Sequence, residues 1–161
     1  NNPDTEIILA GDSAGGGLSL ALMMYLRDNG EKLPDSAVLF SPWTNLNCDS
    51  ETYQTKAKAD PMFVHHMTKD CARYYVPESI DKNEPYISPA HGDFGGLPRT
   101  LIMTGGNEIL LDDTRIIGQK ATEEDLDIEV DIWPTMFHDW WLFGSFIPET
   151  KQCLKKMSEW I

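Results

Sequence analysis

Apolar positions along the chain recur with two periods that take turns. Glu6 to Ala10 is a short run rich in Ile and Leu, which predicts a strand. A glycine-rich turn over 11–17 leads into a segment reaching about Asn29, where Leu18, Ala21, Leu22, Tyr25 and Leu26 fall on one helical face. Asn29-Gly30 supplies a stop, and Pro34 prevents continuation. Ala37 to Phe40 predicts a second, buried strand, closed by Ser41-Pro42-Trp43 and followed by a weaker helical patch over Thr52 to Lys58. Thr68 to Val76 predicts a helix. Pro85, Pro89, Gly92, Gly95 and Gly96 make the stretch from Pro77 to Pro98 mostly irregular. Thr100 to Thr104 predicts a third strand, and Asp112 or Asp113 is placed to cap a helix running to about Glu124. Asp127 to Trp133 predicts a fourth strand, and a last helix begins near Pro148. Strands alternating with helices predict an α/β domain around a parallel sheet.

Length and charge narrow this picture. With 161 residues the chain can build one domain with a core, and 1–161 reads as a single domain. A content of 41% hydrophobic and 24% charged residues is that of a globular protein, and no apolar run is long enough for a membrane span. Thirteen Lys and Arg against 26 Asp and Glu give a net charge of −13, which repels phosphate backbones and argues against nucleic acid as a partner. Cys48, Cys71 and Cys153 are odd in number and lack metal-ligand spacing with His, so neither a disulfide framework nor a metal is expected. The expected location is the reducing cytoplasm. The chain opens on Asn1-Asn2-Pro3-Asp4 with no leader pattern, as though a longer sequence had been cut.

The first chemistry-bearing motif is Gly11-Asp12-Ser13-Ala14-Gly15, a G-x-S-x-G pattern between a strand and a helix. Glycines flanking a serine allow a sharp, strained turn that exposes the hydroxyl. A serine hydroxyl becomes a useful nucleophile only when a base takes its proton and a third group orients that base. His65, His66 and His91 lie at a helix start or in the irregular stretch and are read as solvated or locally bonded. His138 follows the fourth strand and comes last in chain order, so it is the candidate base. The acid belongs at the carboxyl end of the strand between them. Glu108 is the first choice there, ahead of Asp112 and Asp113, which are placed to serve the next helix.

Gly11 to Gly16 reads GDSAGG and resembles the nucleophile motif of the hormone-sensitive-lipase-like, microbial acetyl-esterase family. Ser41-Pro42-Trp43-Thr44-Asn45-Leu46 is similar to the SPWTDL stretch of that family. Asp60-Pro61-Met62 is similar to a segment near its cap, and Leu97-Pro98 to the LPP before its acid-bearing strand. The family presents its acid at the head of a D-P-L-x-D pattern. Here Glu108-Ile109-Leu110-Leu111-Asp112 stands in its place, with glutamate for aspartate.

The resemblance implies an α/β-hydrolase fold lacking its N-terminal strands, with residues about 60–80 contributing to a cap. It implies a serine carboxylesterase acting on short- to medium-chain acyl esters through Ser13, His138 and Glu108, without a cofactor. Ala14 would supply one oxyanion-hole N–H from the start of its helix. The other donors in this family come from an upstream HGGG loop that the sequence does not contain. Trp43, Met62, Phe63, Trp140 and Trp141 are the expected walls of the substrate pocket. With the first strand left at an edge, a homo-oligomer or a complementing N-terminal segment is an expected partner besides the small-molecule ester. The alternative is a catalytically impaired hydrolase fragment or a binding scaffold on the same fold. A peptidase on this fold is a third reading.

Overall fold

The computed structural model describes residues 5–161; the polar opening Asn1-Asn2-Pro3-Asp4 lies outside them. Four strands, β1 (Ile8–Asp12), β2 (Ser36–Phe40), β3 (Arg99–Gly105) and β4 (Ile128–Trp133), form one sheet in that order, every neighbouring pair parallel. Between and after them run α1 (Ala14–Asp28), α2 (Thr52–Thr55), α3 (His65–Tyr75), α4 (Leu111–Glu123) and α5 (Pro148–Trp160). A short 3₁₀ turn covers Pro89–His91, and a second 3₁₀ segment, Trp140–Phe146, is kinked at Gly144.

The period of two in β2 and β3 sorts their side chains into two cores. Ala37, Leu39 and Ile102 pack with Leu20, Met23 and Met24 of α1 and Ile117 of α4. Val38, Phe40, Leu101 and Met103 point the other way and pack with Trp140 and with Cys153 of α5. A strand covered on both faces needs apolar residues throughout, which is why 37–40 reads as a continuous run and all of β2 is buried. Each fully buried Leu, Ile or Met contributes about 1.5–3 kcal/mol. A third cluster, with Leu46, Tyr53, Ala72, Ile109 and Leu110, joins α2 and α3 to the loops that follow β2 and β3.

Three elements depart from the expectation, each for a physical reason. The first strand is Ile8–Asp12 rather than 6–10, because Gly11 and Asp12 pair with Leu39 and Phe40 and so carry the strand into the motif itself. In α1 the buried face is Leu20, Met23 and Met24, while Leu18, Leu22 and Tyr25 are exposed. Neither Asp112 nor Asp113 caps α4. Leu110 occupies that position without a side-chain bond, and both carboxylates turn to other backbone groups.

Candidate active site

The turn between β1 and α1 places Ser13. Its φ of 50° lies in the left-handed region that a residue with a side chain rarely adopts, and it is held there from both sides. Ser13 N–H donates to the Phe40 carbonyl at 2.9 Å, and the Ser13 carbonyl accepts from Gly16, Gly17 and Trp43 N–H. The glycines make the turn possible by their missing Cβ atoms. A Cβ on Gly11 would stand 2.3 Å from the Gly15 oxygen, and one on Gly17 would stand 2.0 Å from the Trp43 oxygen. Ala14 opens α1, whose first N–H groups have no carbonyl within the helix to bond.

The loops after β3 and β4 bring the other two residues to this turn. Ser13 Oγ lies 2.9 Å from His138 Nε2, and His138 Nδ1 lies 3.2 Å from Glu108 Oε2. The second Glu108 oxygen, Oε1, accepts from the Thr104 hydroxyl. Both Glu108 and His138 are fully buried. Ser13, His138 and Glu108 therefore form one hydrogen-bonded series drawn from three strand ends. Asp112 lies outside it, accepting from Thr52 N–H and Arg115. His65 Nε2 is 2.7 Å from the Cys48 carbonyl, and His91 ends the short 3₁₀ turn.

Several further carboxylates support this series through contacts that the sequence did not signal. Asp60 Oδ1 accepts from Met62 and Phe63 N–H, and its Oδ2 accepts from Ile109 N–H next to Glu108. Asp113 Oδ2 accepts from Thr44 and Asn45 N–H, both at 2.8 Å, which fixes the loop after Trp43. Burial pushes the Asp113 carboxyl up to about 7, against those backbone bonds, which favour its charged form. Asp139, at φ 52°, places Oδ2 at 3.0 Å from His138 Nε2. Burial works to lower the His138 pKa, but hydrogen bonds to Asp139 and Glu108 outweigh it and push the imidazole up to about 10.

The expected pocket residues separate into three groups. Trp43 lines a cleft of about 320 Å³ together with Ala14, Gly15, Leu18, Leu46, Tyr75 and Tyr86. Phe63 stands edge-on to the His138 ring with centroids 4.8 Å apart, and Met62 beside it is partly exposed. Trp140 is fully buried in the core behind the sheet, and Trp141 packs on Phe40, so neither lines the cleft.

The profile described as the alpha/beta hydrolase fold matches residues 2–142. The chain belongs to this family. Within the alpha/beta hydrolases it is a hormone-sensitive-lipase-like member. An acetyl-hydrolase from Streptomyces hygroscopicus is 37% identical over 153 residues, covering 95% of this chain and 51% of that protein. An esterase from Acinetobacter venetianus is 32% identical over 154 residues, covering 96% of this chain and 51% of its own length. Among solved structures, EstE5 superposes with a TM-score of 0.90 at 37% identity, covering 95% of this chain and 51% of that one. An esterase from the bacterial hormone-sensitive lipase family gives 0.89 at 36% identity, with the same coverage. The chain thus spans about half the length of the hydrolases it matches. Among the described residues, no helix is long and apolar enough to cross a membrane.

Proposed function

We propose that this chain carries the reacting residues of a serine carboxylesterase for short- to medium-chain acyl esters. The observation that carries the reading is the series Ser13 Oγ, His138 Nε2, His138 Nδ1 and Glu108 Oε2, with contacts of 2.9 and 3.2 Å. In this reading Ser13 Oγ attacks the ester carbonyl carbon while its proton passes to His138 Nε2, and Glu108 holds the imidazole through Nδ1. The bond from the carbonyl carbon to the alcohol oxygen then breaks, and Nε2 returns the proton to the leaving alcohol. Water attacks the acyl-enzyme by the same route in reverse. Ala14 N–H, at the positive end of α1, faces the developing oxyanion. The relatives named as an acetyl-hydrolase and as esterases support ester substrates, and the mostly apolar cleft beside Ala14 and Trp43 suits a modest acyl chain.

Turnover of p-nitrophenyl butyrate by the full chain tests the reading. Activity should be lost by a factor of about 10³ or more in Ser13→Ala and in His138→Ala. Equal rates in wild type and both variants would overturn it.

A further inference from the structure

The cleft of about 320 Å³ begins beside Ser13 and follows α1 away from it. Ala14 and Trp43 stand at its mouth: Ala14 is the residue after the serine and is exposed, and Trp43 N–H donates to the Ser13 carbonyl. Leu18 and Ala21 carry the same wall one and two turns further along α1. Tyr75 of α3 and Tyr86 line the rest of the cleft.

The groups that serve the ester carbonyl say which half of the substrate enters. The carbonyl oxygen turns to Ala14 N–H, and the alcohol oxygen must come within hydrogen-bond reach of His138 Nε2 to receive its proton. Ala14 lines the cleft and His138 does not. The remaining substituent on the carbonyl carbon is the acyl chain, and the apolar wall of Ala14, Leu18 and Ala21 suits it.

The length of that wall sets a limit. Ala21 lies seven residues beyond Ala14, a path of about 10 Å at about 1.5 Å per residue. An extended alkyl chain built from bonds of about 1.5 Å advances about 1.25 Å per carbon, so the path takes about eight carbons. Tyr86 stands where the path ends. Its hydroxyl donates to Asp28 Oδ2 at 2.7 Å, and its ring meets Tyr25 edge-on with centroids 6.0 Å apart. Tyr25 and Asp28 lie one and two turns past Ala21 in α1, so the ring is pinned across the far end of the cleft. We propose that Ala21 and Tyr86 are specificity-determining residues for acyl length, the small side chain at 21 leaving the far half of the cleft open and the Tyr86 ring stopping chains longer than about eight carbons. The proposal rests on the esterase reading above and names the acyl class for it.

The p-nitrophenyl esters of butyrate, octanoate and dodecanoate share one leaving group, so ratios among them report the acyl chain alone. The full chain should cleave octanoate with a kcat/KM at least about tenfold above dodecanoate, as a pocket that meets extra methylenes with a wall implies. In Ala21→Leu the larger side chain occupies the far half, and the ratio of octanoate to butyrate should fall about tenfold. In Tyr86→Ala the wall is gone, and the ratio of dodecanoate to octanoate should rise towards one. Tyr86 is half-exposed, so its replacement tests the limit without depending on the packing around the buried Ala21. Equal rates on octanoate and dodecanoate in wild type, or an unchanged ratio in either variant, with butyrate still cleaved, overturns the assignment of acyl length alone. No cleavage of any of the three esters by wild type overturns both this proposal and the esterase reading.

Discussion

Asp60 binds Ile109: its carboxylate Oδ2 accepts the Ile109 N–H at 3.0 Å, while Oδ1 of the same group holds Met62 and Phe63 N–H. One buried side chain thereby ties the loop bearing Glu108 to the segment whose Phe63 ring stands against His138. Replacing Asp60 with Ala leaves three N–H groups without their acceptor. Unfolding in urea should show a loss of about 2–4 kcal/mol, with the midpoint lowered and the slope unchanged. Asp60→Asn keeps an acceptor for part of the set and should lose less.

The two carboxylates on His138 predict how the molecule responds to pH. Its folded-state pKa of about 10 lies above the ordinary 6.5. The stabilisation from the paired imidazolium is therefore fully present below about 6.5 and is lost as pH rises through about 10. The thermal midpoint of wild type relative to His138→Gln should shrink steadily across that window. An imidazolium cannot take the Ser13 proton, so reaction at Ser13 should increase with pH over the same range. Glu108 on Nδ1 and Asp139 on Nε2 are the charged groups that set the value, so Asp139→Asn should move the rise to lower pH.

Strain at the serine turn is separable from its chemistry. Ser13→Ala and Ser13→Gly both remove the hydroxyl and its bond to Nε2, but only glycine is at ease at a φ of 50°. The glycine variant should be the more stable of the two by about 1 kcal/mol, the relief of strain exceeding the added freedom of its unfolded chain. Differential scanning calorimetry on the pair measures this directly. Equal stability would place the strain elsewhere.

The order of strands and helices was legible in the sequence because buried parallel strands leave continuous apolar runs and glycine and proline mark the joints. That Ser13, His138 and Glu108 meet at the strand ends could be anticipated from a motif, from chain order and from a place after the third strand; their roles remain the proposal made above. Trp140 and Trp141 show where that legibility ends. Two adjacent tryptophans beside a candidate base suggest a pocket wall, yet Trp140 turns inward to fill the space between β2, β3 and α5. The pattern of α1 misled in the same way. Leu18, Leu22 and Tyr25 form an apolar stripe at helical spacing, but the sheet is packed by Leu20, Met23 and Met24. Periodicity reveals an apolar face without saying which surface it meets. Asp60 and Asp113 were named in the sequence, but their bonds to Ile109 N–H and to Thr44 and Asn45 N–H were silent, because a carboxylate that holds backbone groups far away in sequence has the same composition signal as a solvated one.

The central claim is that Ser13 is an activated nucleophile, and mass spectrometry of the full chain after exposure to a fluorophosphonate tests it most directly. The account predicts one adduct per chain, located on the peptide that contains Ser13, absent from Ser13→Ala and strongly slowed in His138→Ala. A folded wild-type chain that takes up no adduct at Ser13, or takes it up equally fast without His138, would contradict the account.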